Sequence, residues 1–256
     1  MLLAIDIGNT NTVFAVYDGD ILREDWRCVT EAARSPDEYA AFTGRLFDLA
    51  GIERTQIAAV IVSSVVPEAD FQIRGFCRKY LEREPIFVTP DKVNVEIDLD
   101  RPEEVGADRL VNAVAVKAFY RTPAIVIDFG TATTFDVIDA RGAYAGGVIA
   151  PGINLSIHAL HSAASKLPRV SVTKPERVIG KNTVQAMQSG VYWGYTGLIE
   201  GIVQKISEDM KEKPLILATG GLALLFATDS SVIDEVDGQL TLKGLLQIYK
   251  DMNGRK

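Results

Sequence analysis

Two carboxylates occupy matching places in this chain. Asp6 lies in "AIDIGNTNTVFAVYD" (residues 4–18), and Asp128 lies in "IVIDFGTATTFDVID" (residues 125–139). Each closes an apolar run and is followed two positions later by a glycine, Gly8 or Gly130. Small hydroxyl and amide side chains come next, then a second apolar run. Set side by side without a gap, Thr12 falls on Thr134. A plain hairpin turns on Asn-Gly or Asp-Gly with two central residues, and these segments are built differently. Glycine with small polar neighbours lets the backbone approach a ligand while N–H groups and hydroxyls face inward, which suits phosphate oxygens. A carboxylate beside such a turn can hold a cation directly or through its water shell. Magnesium usually needs only one or two carboxylates besides the substrate's phosphates. Two such turns facing across a cleft would hold a triphosphate from both sides. A capped β-turn explains a single D-x-G equally well. The second copy in the same context favours the ligand.

A third acid has a different setting. "RPEEVGADRLVNAVAV" puts Asp108 and Arg109 beside Gly106 at the start of a strongly apolar helix. A charge pair at a helix end is the plain explanation. The functional one has Asp108 accept a proton from a substrate hydroxyl while Arg109 binds a carboxylate or phosphate. An ordinary Asp is a weak base for an alcohol. Phosphoryl transfer tolerates this, because its loose transition state depends more on positioning than on early proton removal. Other nucleotide motifs fail: "GGVIAPGIN" has Ile153 and Asn154 where a Walker loop needs Lys and Ser/Thr, and it reads as a turn leading into a helix. "ILATGGLA" (216–223) is a buried strand running into Gly220-Gly221, where backbone can lie against a flat base or ribose.

The elements that must position these residues repeat as well. In the first half, 2–7, 12–17 and 21–29 read as strands, with "DGD" as a tight turn. A helix follows from Ser35 as N-cap, with Pro36 first and Glu38 completing a capping box; Tyr39, Phe42, Leu46 and Leu49 recur at helical spacing, and Gly51 stops it. "AAVIVSSVV" is a buried strand, and 67–82 a helix. In the second half, 124–128, 133–138 and 144–149 form a meander, with helices near 152–163 and 182–211 before the strand "PLILATGG". Strands followed by alternating helix and strand indicate an α/β fold with mixed sheets. The repeat implies two related domains, 1–120 and 121–256.

With 256 residues, 47% hydrophobic and 24% charged, the composition is that of an ordinary soluble chain. A net charge of -7 argues against a nucleic-acid partner, whose phosphates call for a basic surface. Cys28 and Cys77 have no metal-ligand spacing and read as reduced thiols of a cytoplasmic protein. Neither a signal peptide nor a membrane-length apolar run is present, so no membrane partner is expected. His158 and His161 share a helical face without a carboxylate or cysteine to complete a metal site. They are expected at a helix surface or an interface. Trp26 and Trp193 are expected to pack.

"DIGNTNTV", "GADR", "DFGTATTFD", "PGINLS", "GKNTVQAM" and "ATGGLA", in this order, resemble the type III pantothenate kinases. That family belongs to the acetate and sugar kinase, Hsc70 and actin superfamily, with two ribonuclease-H-like domains around a nucleotide cleft. The resemblance implies ATP-dependent phosphorylation of pantothenate to 4′-phosphopantothenate, the first committed step toward coenzyme A. It implies that Asp6, Ile7, Gly8, Asn9, Thr10, Asn11, Thr12 and Val13 form an ATP phosphate element, with Asp6 near magnesium. Thr131 would contact ATP, and Asp128 would coordinate a monovalent cation, potassium or ammonium. Gly106, Ala107, Asp108 and Arg109 would contact pantothenate, with Asp108 as proton acceptor, and Thr183 would contact it too. A homodimer with the pantothenate pocket completed at the subunit interface is also implied. Two other readings stand beside this one. One is a phosphotransferase of the same superfamily acting on a sugar, acetate or polyphosphate. The other is a nucleotide-sensing regulator that does no chemistry.

Overall fold

The computed structural model describes residues 1–164 and 167–254. The chain divides into two compact units, Met1–Tyr120 with Leu240–Lys256, and Arg121–Gln239. Both contain a five-stranded mixed sheet of the same plan.

In the first unit, β1 (Leu2–Ile7), β2 (Asn11–Asp18) and β3 (Ile21–Val29) form an antiparallel meander, and β4 (Ala59–Ser64) and β5 (Ile86–Phe87) add in parallel beyond β1. The sheet order is β3-β2-β1-β4-β5. In the second unit, β6 (Ala124–Phe129), β7 (Ala132–Ile138) and β8 (Tyr144–Pro151) form the meander, and β9 (Leu215–Gly220) and β10 (Glu235–Val236) the parallel side. Their order, β10-β9-β6-β7-β8, is the same sequence of pairings. A parallel connection needs a crossover, and helices supply it. They are α1 (Pro36–Ala50) and α2 (Pro67–Tyr80) in the first unit, and α4 (Ile153–Ala163), α5 (Thr183–Met210) and α6 (Ala223–Ala227) in the second.

The central strands show why the carboxylates end up where they do. In both β1 and β6 every residue is buried except the aspartate, Asp6 or Asp128, which is only partly so. Strands covered on both faces read as continuous apolar runs, so a charge is tolerated only at the end that meets solvent. Phe14, Tyr39, Phe47 and Phe76 fill the first core. In the second, Phe226 stacks between Phe129 and Tyr192, with centroids 5.4 and 5.3 Å away. The entry to α1 follows the expected box: Ser35 Oγ accepts from the Glu38 N–H at 3.3 Å, and Glu38 Oε2 accepts from the Ser35 N–H at 2.8 Å.

Three features differ from the sequence reading. The ungapped pairing of Thr12 with Thr134 is offset by one. Thr12 stands opposite Ile7 and Thr133 opposite Phe129, because the first turn spans residues 8–11 and the second only 130–132. Thr133 is therefore the counterpart of Thr12, and both are fully buried. The last helix, α7 (Leu240–Gly254), which the sequence reading grouped with the second half, packs in the first unit against α3 (Ala107–Phe119), β1 and β4. Gly244 allows this approach, since a Cβ there would lie 2.2 Å from the Val111 carbonyl oxygen. The Thr241 hydroxyl donates to the buried Asn112 side chain at 2.9 Å. The stretch "GGVIAP" is the end of β8, and only Gly152 stands between it and α4. No helix among the described residues is long and apolar enough to cross a membrane.

Candidate active site

In the first unit the turn after β1 is closed by the Gly8 N–H donating to the Asn11 carbonyl at 3.0 Å. Asn9, Thr10 and Asn11 are exposed, Val13 is half-buried, and Ile7 and Thr12 are buried beneath them. Polar groups thus crown an apolar base. The Asp6 carboxyl, whose ordinary value is 3.8, is pushed up to about 7, first by loss of water around it and further by the charge of Asp108. Ser63, its register partner on β4, acts in the opposite direction. The buried Ser63 hydroxyl favours the ionised form by proximity, without closing a hydrogen bond of ordinary geometry among the described residues.

Asp108 belongs to the first turn of α3, where the helix dipole favours a negative charge. The Arg109 N–H donates to Asp108 Oδ1 at 2.8 Å. Burial raises the Asp108 pKa, while the Arg109 backbone and charge oppose that rise. A Cβ on Gly106 would lie 2.6 Å from Asp108 Oδ1, so glycine is what leaves that side of the carboxylate clear. Ala107 and Arg109 are half-buried alongside. The unit therefore places two carboxylates near one another at the polar turn. Among the described residues the influences on Asp6 are burial, Ser63 and a second carboxylate, and no three His, Cys, Asp or Glu side chains cluster as a ready metal cage. That donor set fits magnesium, which takes few protein carboxylates and completes its shell with phosphate and water.

This environment has a measurable consequence for stability. A carboxyl that titrates near 7 when folded and near 4 when unfolded keeps its proton in the native state between those values. The folded protein then binds more protons, so this group's contribution falls as pH rises from about 4 to about 7. Asp6→Asn removes the ionised form. Without nucleotide, the variant is expected to be more stable than the parent at pH 8 by about 2 kcal/mol, allowing for partial access of water, and equal to it near pH 4. Calorimetric melting at the two pH values checks this; equal midpoints at pH 8 would contradict it.

In the second unit, the Gly130 N–H donates to the Ala132 carbonyl at 3.0 Å, and Thr131 is exposed at the tip. Gly220 has a φ of +91°, and a Cβ there would lie 2.7 Å from both Asp128 Oδ1 and the Phe129 carbonyl oxygen. The glycine leaves open a cradle lined by these two oxygens and, at 2.8 Å, the Phe129 nitrogen, so that Asp128 is the group there that could hold a cation. Gly152 presses on the same turn, its Cβ position only 2.0 Å from the Thr131 carbonyl oxygen. Thr183 lies elsewhere. It is the exposed first residue of α5, after Asn182, whose Oδ1 accepts from the Gln185 N–H at 2.9 Å. With Ser156, Lys181, Asn182 and Tyr195 it lines a cavity of about 890 Å³ that neither Asp128 nor Thr131 reaches.

The structure thus gathers Asp6, the 8–11 turn and Asp108 in one unit, and Asp128 and Thr131 in the other. Ser63 was missed by sequence reasoning. The only trace was the polar pair ending "AAVIVSS", which matters only once β4 is known to pair with β1. His158 is exposed and His161 Nδ1 lies 2.6 Å from the Leu167 carbonyl oxygen, while Cys28 and Cys77 are free thiols.

Duplicated mixed sheets with glycine-bearing turns after their central strands define a sugar-kinase and actin-like fold. A solved hexokinase of the ROK type from Thermus thermophilus has it, with a TM-score of 0.53 and 10% identity over 99% of both chains. So does a protein from Campylobacter jejuni described as a Baf family transcriptional activator, with a TM-score of 0.63 and 20% identity over 99% of this chain and 100% of that one. The type III pantothenate kinase family model matches residues 2–205. The type III pantothenate kinase of Paramagnetospirillum magneticum is 56% identical over 98% of this chain and 97% of its own length. The chain belongs to the type III pantothenate kinase family.

Proposed function

We propose that this protein transfers the γ-phosphoryl group of ATP to the primary hydroxyl of pantothenate, giving 4′-phosphopantothenate at the start of coenzyme A biosynthesis. The observation that carries the site assignment is the placement of Asp108 near Asp6 and its polar turn within one unit. Residues 6–13 receive ATP phosphates. Asp6 stands near the magnesium ion, which supplies charge neutralisation to the phosphates when bound. Gly106, Ala107, Asp108 and Arg109 hold pantothenate, Arg109 through its cationic side chain. Asp108 orients the attacking hydroxyl and takes its proton as the new P–O bond forms and the bond to ADP breaks. Thr131 contacts ATP, Asp128 holds potassium or ammonium in the cradle left by Gly220, and Thr183 contacts pantothenate. The enzyme works in the cytoplasm.

A homodimer belongs to the same reading. Leu155 and Leu160 on α4, Val178 and Ile179 on the segment before α5, and Val184 in its first turn are large apolar side chains left exposed. A second copy of the chain would cover them.

The test is ADP release from purified protein with Mg-ATP against a panel of pantothenate, hexoses, acetate and polyphosphate, in potassium and in sodium buffer. Release that depends on pantothenate and rises with potassium is expected. Release with another acceptor alone would assign a different phosphotransferase. ATP binding without any acceptor-dependent release would assign a regulator.

A further inference from the structure

Thr30, the first residue beyond β3, makes two contacts to the turn after β1 and one to Thr12 at the start of β2. Its hydroxyl donates to the Gly8 carbonyl at 2.7 Å and lies 2.9 Å from the Thr12 hydroxyl, and its N–H donates to the Thr10 carbonyl at 2.9 Å. Thr12 is fully buried and is also reached by the hydroxyl of the buried Tyr39. The turn is thus fastened from beneath while Asn9, Thr10 and Asn11 stay exposed above. The second unit solves the same problem another way. Thr12 pairs with Cys28 and Thr133 with Ala150, so the residue two beyond, Thr30 in one unit, is Gly152 in the other. There, bare backbone packs on the Thr131 carbonyl, and the Thr133 hydroxyl has no hydrogen-bond partner among the described residues. A hydroxyl clasp is therefore not a requirement of this strand plan. It is particular to the turn that carries Asn9, Thr10 and Asn11.

We propose that Thr30 is a positioning residue: its hydroxyl and N–H fix residues 8–12 in the form that receives nucleotide phosphates. This rests on the reading of that turn as an ATP phosphate element. A turn whose N–H groups are already aimed loses less freedom when phosphate binds, so removing the clasp weakens nucleotide binding rather than acceptor binding. Thr30→Val keeps the shape and removes the hydroxyl, and Thr30→Ser keeps the hydroxyl.

Calorimetric titration with Mg-ATP, without acceptor, is expected to show at least tenfold weaker binding for Thr30→Val and near-parental binding for Thr30→Ser. The KM for pantothenate should stay within about twofold in both, set against the tenfold change that 1.4 kcal/mol represents. A hydroxyl that only stabilised the fold would lower the melting midpoint and leave Mg-ATP affinity unchanged, and that result would overturn the proposal. Failure of Thr30→Val and Thr30→Ala alike to fold would overturn it too, by making Thr30 a residue of the fold alone. Because the titration omits the acceptor, a parent protein that binds Mg-ATP but ignores pantothenate would sink the functional reading and leave this inference to be decided. A parent that does not bind Mg-ATP would sink both.

Discussion

Asp108→Asn is expected to lower kcat with pantothenate by about 10²–10⁴-fold while leaving Mg-ATP affinity within about threefold. The substitution keeps the size of the side chain and removes its ability to accept a proton. Asp108 sits at the first turn of α3, where the Arg109 N–H donates to Oδ1 and holds the carboxylate in orientation. Burial raises its pKa, which strengthens it as a base, and the Arg109 backbone and charge oppose that rise. Loss of that charge also relieves Asp6, whose raised pKa owes part of its rise to Asp108. The variant's Mg-ATP binding should therefore hold to lower pH than the parent's. Steady-state kinetics and nucleotide titration on the same preparation check both parts. Turnover near the parent's would reject Asp108 as the proton acceptor.

The second large effect is expected at Gly152. A Cβ there would sit 2.0 Å from the Thr131 carbonyl oxygen and 2.9 Å from that of Gly130, and these are backbone atoms that cannot rotate away. Gly152→Ala must displace either the 130–132 turn or the start of α4. Overpacking of this kind costs about 3 kcal/mol, and here the displaced segment carries Thr131 beside Asp128. Urea denaturation should show that loss, and the KM for ATP should rise. Gly201→Ala is the control. Gly201 lies within α5 with open space around its Cβ position, so alanine should be neutral or slightly stabilising there. Equal stability of the Gly152→Ala and parent proteins would contradict the packing.

Much of this arrangement was legible because its signals are local. The apolar runs ending in Asp6 and Asp128 announce buried central strands, and Ser35-Pro36 with Glu38 announces the start of α1. What stayed hidden depends on pairing across the sheet. Nothing in "CVTEAARS" marks Thr30 as the fastening of a turn some twenty residues earlier, and only the β2–β3 register brings it there. Ser63 meets Asp6 for the same reason, through the β1–β4 register. The one-residue offset between Thr12 and Thr133 reflects two turns of different length, which an ungapped comparison cannot reveal. Ile86–Phe87 and Glu235–Val236 are too short to show the alternation that identifies a strand. The amphipathic pattern of α7 predicts a helix but not its partner. Gly244 against Val111 decides that, by permitting close approach to α3.

The most direct test of the central claim is the identity of the product. Purified protein with Mg-ATP, potassium and pantothenate is sampled over time, with ADP and phosphorylated pantothenate quantified in the same aliquots by mass spectrometry. One 4′-phosphopantothenate for each ADP is the predicted result. ADP accumulating without phosphorylated pantothenate would contradict the account.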